Sequence, residues 1–438
     1  MTDNDILGNF PPATAADWMA RVAANLKGES FERRLVSYSA EGIRIDPLYG
    51  ERVGPRAGRP HHGPWGLLQR VDHPDPARAN LQALDDLENG ATGLVLTVAG
   101  AAGARGFGLC DGAEPTLNRA LAGVALHAVA IRLEAGPQGR IAAGALGQVI
   151  RGRALNPALL NIGFGMDPLS VDLNRGGSGG DWAARAALVR QTVESLADEF
   201  RGPFMVADGR SWHEAGATGA QELGIVLAAG VSYLRALDTL NAAALSRAVS
   251  VTLTAAADLF QTLAKFRAMR LLWARVLEAA GLPDTPLHLH AETSWRMMAE
   301  LDPHTNILRT CTAVMGAGLG GASSITALPF SVRQGLPNGF ARRVARHQQA
   351  VLIEEAELWR VADPALGAGY AGHLTDELCI QAWALFQEIE RRGGLVKTID
   401  QGWLMAAIAA QPREGGPVIG TQTHRLEREF EAAVEIWP

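Results

Sequence analysis

From residue 93 onward, short apolar runs alternate with long amphipathic stretches, and this alternation constrains the fold more than any other feature of the chain. The runs are GLVLTVA (93–99), ALHAVAIRL (125–133), LLNIGFGM (159–166), PFMVADG (203–209), VSVTLTA (249–255), PLHLHAE (286–292) and SSITALPF (323–330). Helical spacing fills the gaps at 181–200, 218–240, 259–280 and 306–318, and one unit near 136–150 has no clear pattern. A strand that is apolar throughout must be covered on both faces, and a helix after each strand supplies that cover in a parallel sheet. Seven or eight such units favour closure over an open sheet. The expected fold class is α/β, a (β/α)8 TIM-type barrel over residues 86–330.

The flanks read differently. Residues 1–85 form an N-terminal arm and connector with one helical pattern at 18–26. The stretch GERVGPRAGRPHHGPW follows it, and Pro and Gly there interrupt any regular element. Residues 331–438 form a C-terminal helical extension, with amphipathic stretches at 342–361 and 375–392 and a stop at Gly393-Gly394.

Composition excludes several classes. The 438 residues are 47% hydrophobic and carry a net charge of −6 without a basic cluster, so nucleic acid is not an expected partner. No uninterrupted apolar window of about 20 residues suggests a membrane span. The acidic start has no basic region followed by an apolar run, as a signal peptide would. Cys110, Cys311 and Cys379 are odd in number and lack metal-ligand spacing, so they read as reduced, mostly buried thiols of a cytoplasmic protein.

Three motifs are weaker than they look. Gly316-Ala-Gly318-Leu-Gly320-Gly321 fits G-x-G-x-x-G, but a helix precedes it and a strand follows, the reverse of a dinucleotide site. A helix end and tight turn is the better reading. Gly176-Gly-Ser178-Gly-Gly180 fits G-x-S-x-G without the strand a nucleophile elbow needs, and reads as a loop. Asp302-Pro-His304 reads as an N-cap followed by proline at the first helical position.

Histidines at strand ends are the sharper candidates. His213 follows the run at 203–209, at the C-terminal mouth where such barrels place their chemistry. His288 and His290 alternate on one strand and point the same way, with His290 expected to end that strand near the mouth. No carboxylate is spaced with them to complete a metal site. Lys265, Arg267 and Arg270 lie on the amphipathic stretch at 259–280. They are either a solvated face or contacts for the phosphates of a substrate.

The segment DPHTNILRTCTAVMGAGLGGASSITALPF (302–330) resembles the end of the barrel in cobalamin-dependent acyl-CoA mutases of the methylmalonyl-CoA mutase family. Further blocks extend the resemblance in order: EGIRIDPLYG (41–50), SWHEAGATGAQELGIVLAAGVSYLRAL (211–237), LAKFRAMRLLWA (263–274), HAETSWRMM (290–298) and LTDELCIQAWALFQEIERRGG (374–394). The resemblance implies a barrel that takes acyl-CoA along its axis beneath adenosylcobalamin, which supplies the radical chemistry.

The chain departs from the catalytic pattern of that family. Arg70 stands where the resemblance places an active-site tyrosine, and Glu292 where it places a glutamine. Leu328, Ser331 and Val332 occupy positions expected to carry an asparagine and an acidic pair that meet the adenosyl group. The histidine motif is shortened after His213, the substrate-arginine strand is not recognisable, and no complete D-x-H-x-x-G is present.

The resemblance is therefore strongest to the small, non-catalytic subunit of heterodimeric members. Such a chain would bind no cofactor alone and would support a catalytic large subunit through the arm and C-terminal helices, or form a homodimer in isolation. His213 and His290 would then be vestigial catalytic positions, and Arg70, Lys265, Arg267 and Arg270 remnants of substrate binding. The competing reading is the substrate half of a split mutase, with cobalamin on a separate chain. That reading needs an open barrel axis; a filled axis counts against it.

Overall fold

The computed structural model describes residues 13–170, 180–411 and 418–435. Eight parallel strands form its main sheet. In chain order they are β1 (Gly66–Val71), β2 (Gly93–Thr97), β3 (Ala130–Glu134), β4 (Ile162–Gly163), β5 (Met205–Asp208), β6 (Val249–Ala255), β7 (Leu289–Thr293) and β8 (Ser324–Thr326). Each pairs with its sequence neighbour, and β8 returns to β1 with Ser324 opposite Gly66. Beside β4 and β5 the ring is joined by a parallel bridge between Met166 and Met205, with the Val206 N–H donating to the Met166 carbonyl at 3.0 Å. The architecture is the expected (β/α)8 barrel.

Strand β1 was not among the expected strands. It lies in the segment read as arm and connector, so barrel strands begin at residue 66. Its polar residues hid it: Gln69 and Arg70 interrupt the apolar run, yet both are buried. Strand β6 matches its run at 249–255 in full, since β-branched residues at alternate positions suit a pleated, doubly covered strand. Two runs overshoot. Residues 125–129 form a turn before β3, and of 159–166 only Ile162–Gly163 is strand. The ill-defined unit near 136–150 holds a helix, Gly139–Gly152, with an alanine- and glycine-rich buried face.

Helices start where side chains satisfy their first N–H groups. Thr218 and Gln221 form a capping box for the helix Gly219–Ala236, and Asp258 caps Leu259–Ala279. The Gly219–Ala236 helix is buried along nearly its whole length, because the C-terminal helix Gly369–Arg391 covers its outer side. Glycine permits the close approach: a Cβ on Gly224 would lie 2.8 Å from the Ala382 carbonyl oxygen, and one on Gly230 2.5 Å from the Trp273 ring.

Several details differ from expectation. Asp302 is not an N-cap. It sits at φ +44° in a turn, its carboxylate takes the Thr305 hydroxyl, and the helix begins at Thr305. The stretch at 342–361 is a helix only through Gly339–Ala350; a π turn at Val351–Glu355 ends it. Cys110 is exposed rather than buried, and Cys311 and Cys379 are half-buried. The Gly316–Gly321 motif does close a helix. Gly321 adopts φ +96°, and a Cβ on Gly318 would lie 2.7 Å from the Trp65 ring. The serine of the G-x-S-x-G motif, Ser178, lies outside the described residues. No helix among the described residues is long and apolar enough to cross a membrane.

Candidate functional site

A parallel barrel of this kind fills its axis with bulky branched side chains in most proteins. Here the axis is polar. Arg132 on β3 reaches across to the Thr252 hydroxyl on β6 at 2.7 Å, and His290 Nδ1 on β7 lies 2.8 Å from Ser324 Oγ on β8. Above this level, toward the C-terminal mouth, the axis is occupied by a buried ionic network centred on Glu292.

Three arginines converge on that carboxylate. Arg70 Nη1 lies 3.0 Å from Glu292 Oε2, Arg210 Nη1 2.9 Å from the same atom, and Arg105 Nη2 2.9 Å from Oε1. Each arginine has a second acidic partner. Arg70 Nε donates to Asp72 at 2.9 Å, Arg105 pairs with Glu214 at 2.8 Å, and Arg210 pairs with Asp208 at 2.6 Å and Glu134 at 2.8 Å. Burial alone would push the Glu292 carboxyl up, but Arg210, Arg105 and Arg70 outweigh it and hold the group below the usual carboxylate range. Burial likewise opposes the charge on Arg210, and Asp208, Glu134 and Glu292 together hold its pKa well above the ordinary value. A network so closely paired offers few free donors to a ligand.

The mouth above it is capped. Trp295, just past β7, has the Arg105 guanidinium 4.7 Å from its ring centroid and that of Arg333 at 4.8 Å. Beside the network, Glu134, Asp208, Arg210, Asp167 and Ser170 line a cavity of about 130 Å³. Pockets for drug-sized ligands run to roughly 300–1,000 Å³. Burial, then Asp208, pushes the Asp167 carboxyl up to about 7, against hydrogen bonds from Ser170 and Tyr233.

The candidate residues fall in different places. Arg70 belongs to the network. His213 lies at the C-terminal mouth as expected, its Nε2 2.7 Å from Ser294 Oγ and its Nδ1 3.8 Å from Glu222. Burial, then Lys265 and Arg296, pushes its pKa well down, so it is neutral at pH 7. His290 does not end its strand; it is the second residue of β7, in register with the first residue of β8, so it sits toward the N-terminal end of the axis. The two histidines share no partner and form no joint site.

Lys265, Arg267 and Arg270 are not a solvated face. Lys265 is buried, 2.6 Å from Glu222 and 3.1 Å from the Thr254 hydroxyl. Arg267 is buried against Asp363. Arg270 donates to the Gly321 and Leu287 carbonyls, at 2.8 and 3.2 Å. These cations fasten the helix Leu259–Ala279 to its surroundings and are already engaged. Arg105, Arg132, Glu134, Asp208 and Arg210 were not among the expected site residues. Of these only Arg132 and Asp208 lie inside the apolar runs at 125–133 and 203–209, where an isolated charge was the available signal.

The model of the family described as methylmalonyl-CoA mutase matches residues 52–421. This chain belongs to the methylmalonyl-CoA mutase family. It is 39% identical to the methylmalonyl-CoA mutase small subunit of Streptomyces virginiae, over 92% of this chain and 68% of that one. It is 35% identical to the probable small subunit of Mycobacterium bovis, over 85% of this chain and 62% of that one. The small subunit of Propionibacterium freudenreichii subsp. shermanii is 32% identical, over 91% and 65% respectively. The chain thus spans about two thirds of the length of these relatives.

The family is cobalamin-dependent in general. The positions expected to meet the adenosyl group do not fit it here. Leu328 and Val332 pack with Met298 in a small apolar cluster against Trp295 and Met297, and Ser331 is buried among them in sequence. A ribose needs hydrogen-bonding partners that Leu328 and Val332 cannot supply.

Proposed function

We propose that this chain is a non-catalytic small subunit that supports a catalytic, adenosylcobalamin-dependent large subunit of an acyl-CoA mutase in the cytoplasm. The observation that carries this reading is the Arg70–Glu292 pair. These two residues replace the expected tyrosine and glutamine, and they bond to each other across the axis at 3.0 Å. The two departures from the expected pattern meet in one contact, and the ionic network around it occupies the axis that a substrate path would need. The filled axis counts against the split-mutase reading.

A support role needs a surface rather than a pocket. The arm helix Ala15–Leu26 has no buried residue, and Trp18, Val22 and Leu26 form one half-buried stripe along it. On the C-terminal side, Ile380 is 61% exposed. Both regions suit a partner interface. Affinity purification from the native cell, with mass spectrometry of what accompanies the chain, tests the reading. A large paralogue carrying Q-Y-A-G-F and a complete D-x-H-x-x-G is the expected companion. A small cobalamin-binding chain alone, with saturable acyl-CoA binding by this one, would replace the proposal with the split-mutase reading.

A further inference from the structure

The N-terminal end of the barrel holds a second cavity, of about 320 Å³, separated from the ionic network by the level of Arg132 and His290. Gly66, Leu68, Thr92, Arg132, Asn161, Gly163, His288 and Ser324 are among its lining, and no aspartate or glutamate is. Arg132 is only 4% exposed. Its Nη2 bonds Thr252, while its Nε has no hydrogen-bond partner and no carboxylate of the described residues lies within ion-pair distance. This sets it apart from Arg70, Arg105 and Arg210, which are each paired with acids. Glu134, Asp208 and Glu292 offset the Arg132 charge only from beyond contact distance. A buried cation without a direct ion pair still carries a desolvation cost, and an entering anion would offset part of it.

Two further features shape the cavity for a small oxyanion. Hydroxyl, amide and imidazole groups line the cavity together with Arg132: Thr92, Asn161, Ser324 and His288. Strand β4 contributes glycine where a side chain would intrude. A Cβ on Gly163 would meet Arg132 Cγ at 3.6 Å and Pro203 Cγ at 3.9 Å, ordinary contacts, so a larger side chain fits the backbone but fills the space. Burial pushes the Arg132 pKa down to about 10, and burial with Arg132 and Arg270 pushes His288 down to about 3, the direction expected of an under-compensated positive pocket.

We infer that this cavity is an anion site, in which Arg132 takes a small phosphate or carboxylate entering from the N-terminal face. The inference is independent of the subunit reading, because the ionic network closes the axis above it whichever partner the chain has.

Calorimetric titration of the full chain at low salt with inorganic phosphate, and separately with succinate, tests the site and tells the two oxyanions apart. Saturable millimolar or tighter binding of either is expected. Arg132→Gln should weaken it by about tenfold or more, since a charge-assisted contact is lost. Gly163→Leu should abolish it by filling the cavity while leaving Arg132 in place, so the test survives if Arg132→Gln does not fold. No saturable binding of either anion, or binding unchanged in a folded Gly163→Leu variant, would overturn the inference. Binding of free coenzyme A that competes with phosphate and is lost in Gly163→Leu would support the anion site while speaking against a wholly non-catalytic chain.

Discussion

Replacing Glu292 with glutamine is the most direct probe of the barrel axis, because it restores the residue type expected from the family pattern and removes one charge without changing shape. Three arginines lose a partner at once. Breaking a buried pair from one side costs about 3–5 kcal/mol. Each arginine keeps a second carboxylate, at Asp72, Glu214, or Asp208 with Glu134, so the lower end applies and the expected loss is about 3 kcal/mol. In a thermal melt of a chain this size, that corresponds to roughly 3 °C. The pH dependence has a definite sign. The folded state holds the Glu292 carboxyl below its unfolded value, so its contribution is fully present above the ordinary carboxylate range and fades as pH falls. The gap in stability between wild type and Glu292→Gln should therefore be largest near neutral pH and narrow in acid. A loss under about 1 kcal/mol, the worth of an exposed pair, would refute the claim that the network is a consolidated plug.

Other expectations follow from the same contacts. A double-mutant cycle of Arg70→Gln and Glu292→Gln, read by denaturant unfolding, should show coupling of about 1–3 kcal/mol, whereas additive losses would mean the pair is incidental. Lys265→Met should cost about 3–5 kcal/mol by leaving Glu222 buried without its cation; a melt unchanged from wild type would contradict that assignment. Gly318→Ala should destabilise by about 1–3 kcal/mol through overpacking on Trp65, and a gain in stability would show that the ring can yield. For Asp167 the sign is opposite to that of Glu292. Its folded pKa is raised to about 7, so wild type should lose stability relative to Asp167→Asn as pH rises from about 4 to 8; a pH-independent difference would argue against it.

The barrel was legible because its strands are covered on both faces and so read as apolar runs, and its helices because their spacing repeats. What escaped is what the axis does to a strand. In β1, Gln69 turns outward to the Arg342 carbonyl and Arg70 inward to the network, so alternation of two polar residues disguised a strand with no exposed face. Arg132 was missed for a related reason: a single arginine within an apolar run does not say whether it snorkels to solvent or stays buried. Arg210, just past its run, reads as a loop residue until Glu134 and Asp208 are brought beside it. The cations of the Leu259–Ala279 helix show the same limit. Their spacing suggested a wet face, yet Glu222 and Asp363, distant in sequence, draw two of them inside. His290 was placed on the right strand but at the wrong level, since the strand continues past it to Thr293.

The polar axis itself separates two histories that a sequence comparison alone would merge. A barrel that had simply drifted from catalysis could fill its axis with leucine and valine, which pack without a desolvation cost. This one instead keeps Thr252, Ser324, His290 and Arg132 at one level and places a set of paired charges above it. Arg70 is held by Asp72 as well as Glu292, and Glu292 by Arg105 and Arg210 as well as Arg70, so neither charge depends on a single partner. Arg210, Arg105 and Arg70 jointly hold Glu292 in its charged form. The network occupies the axis with charges that are each paired, so the barrel keeps its shape and its outer helices, the parts a partner subunit would touch.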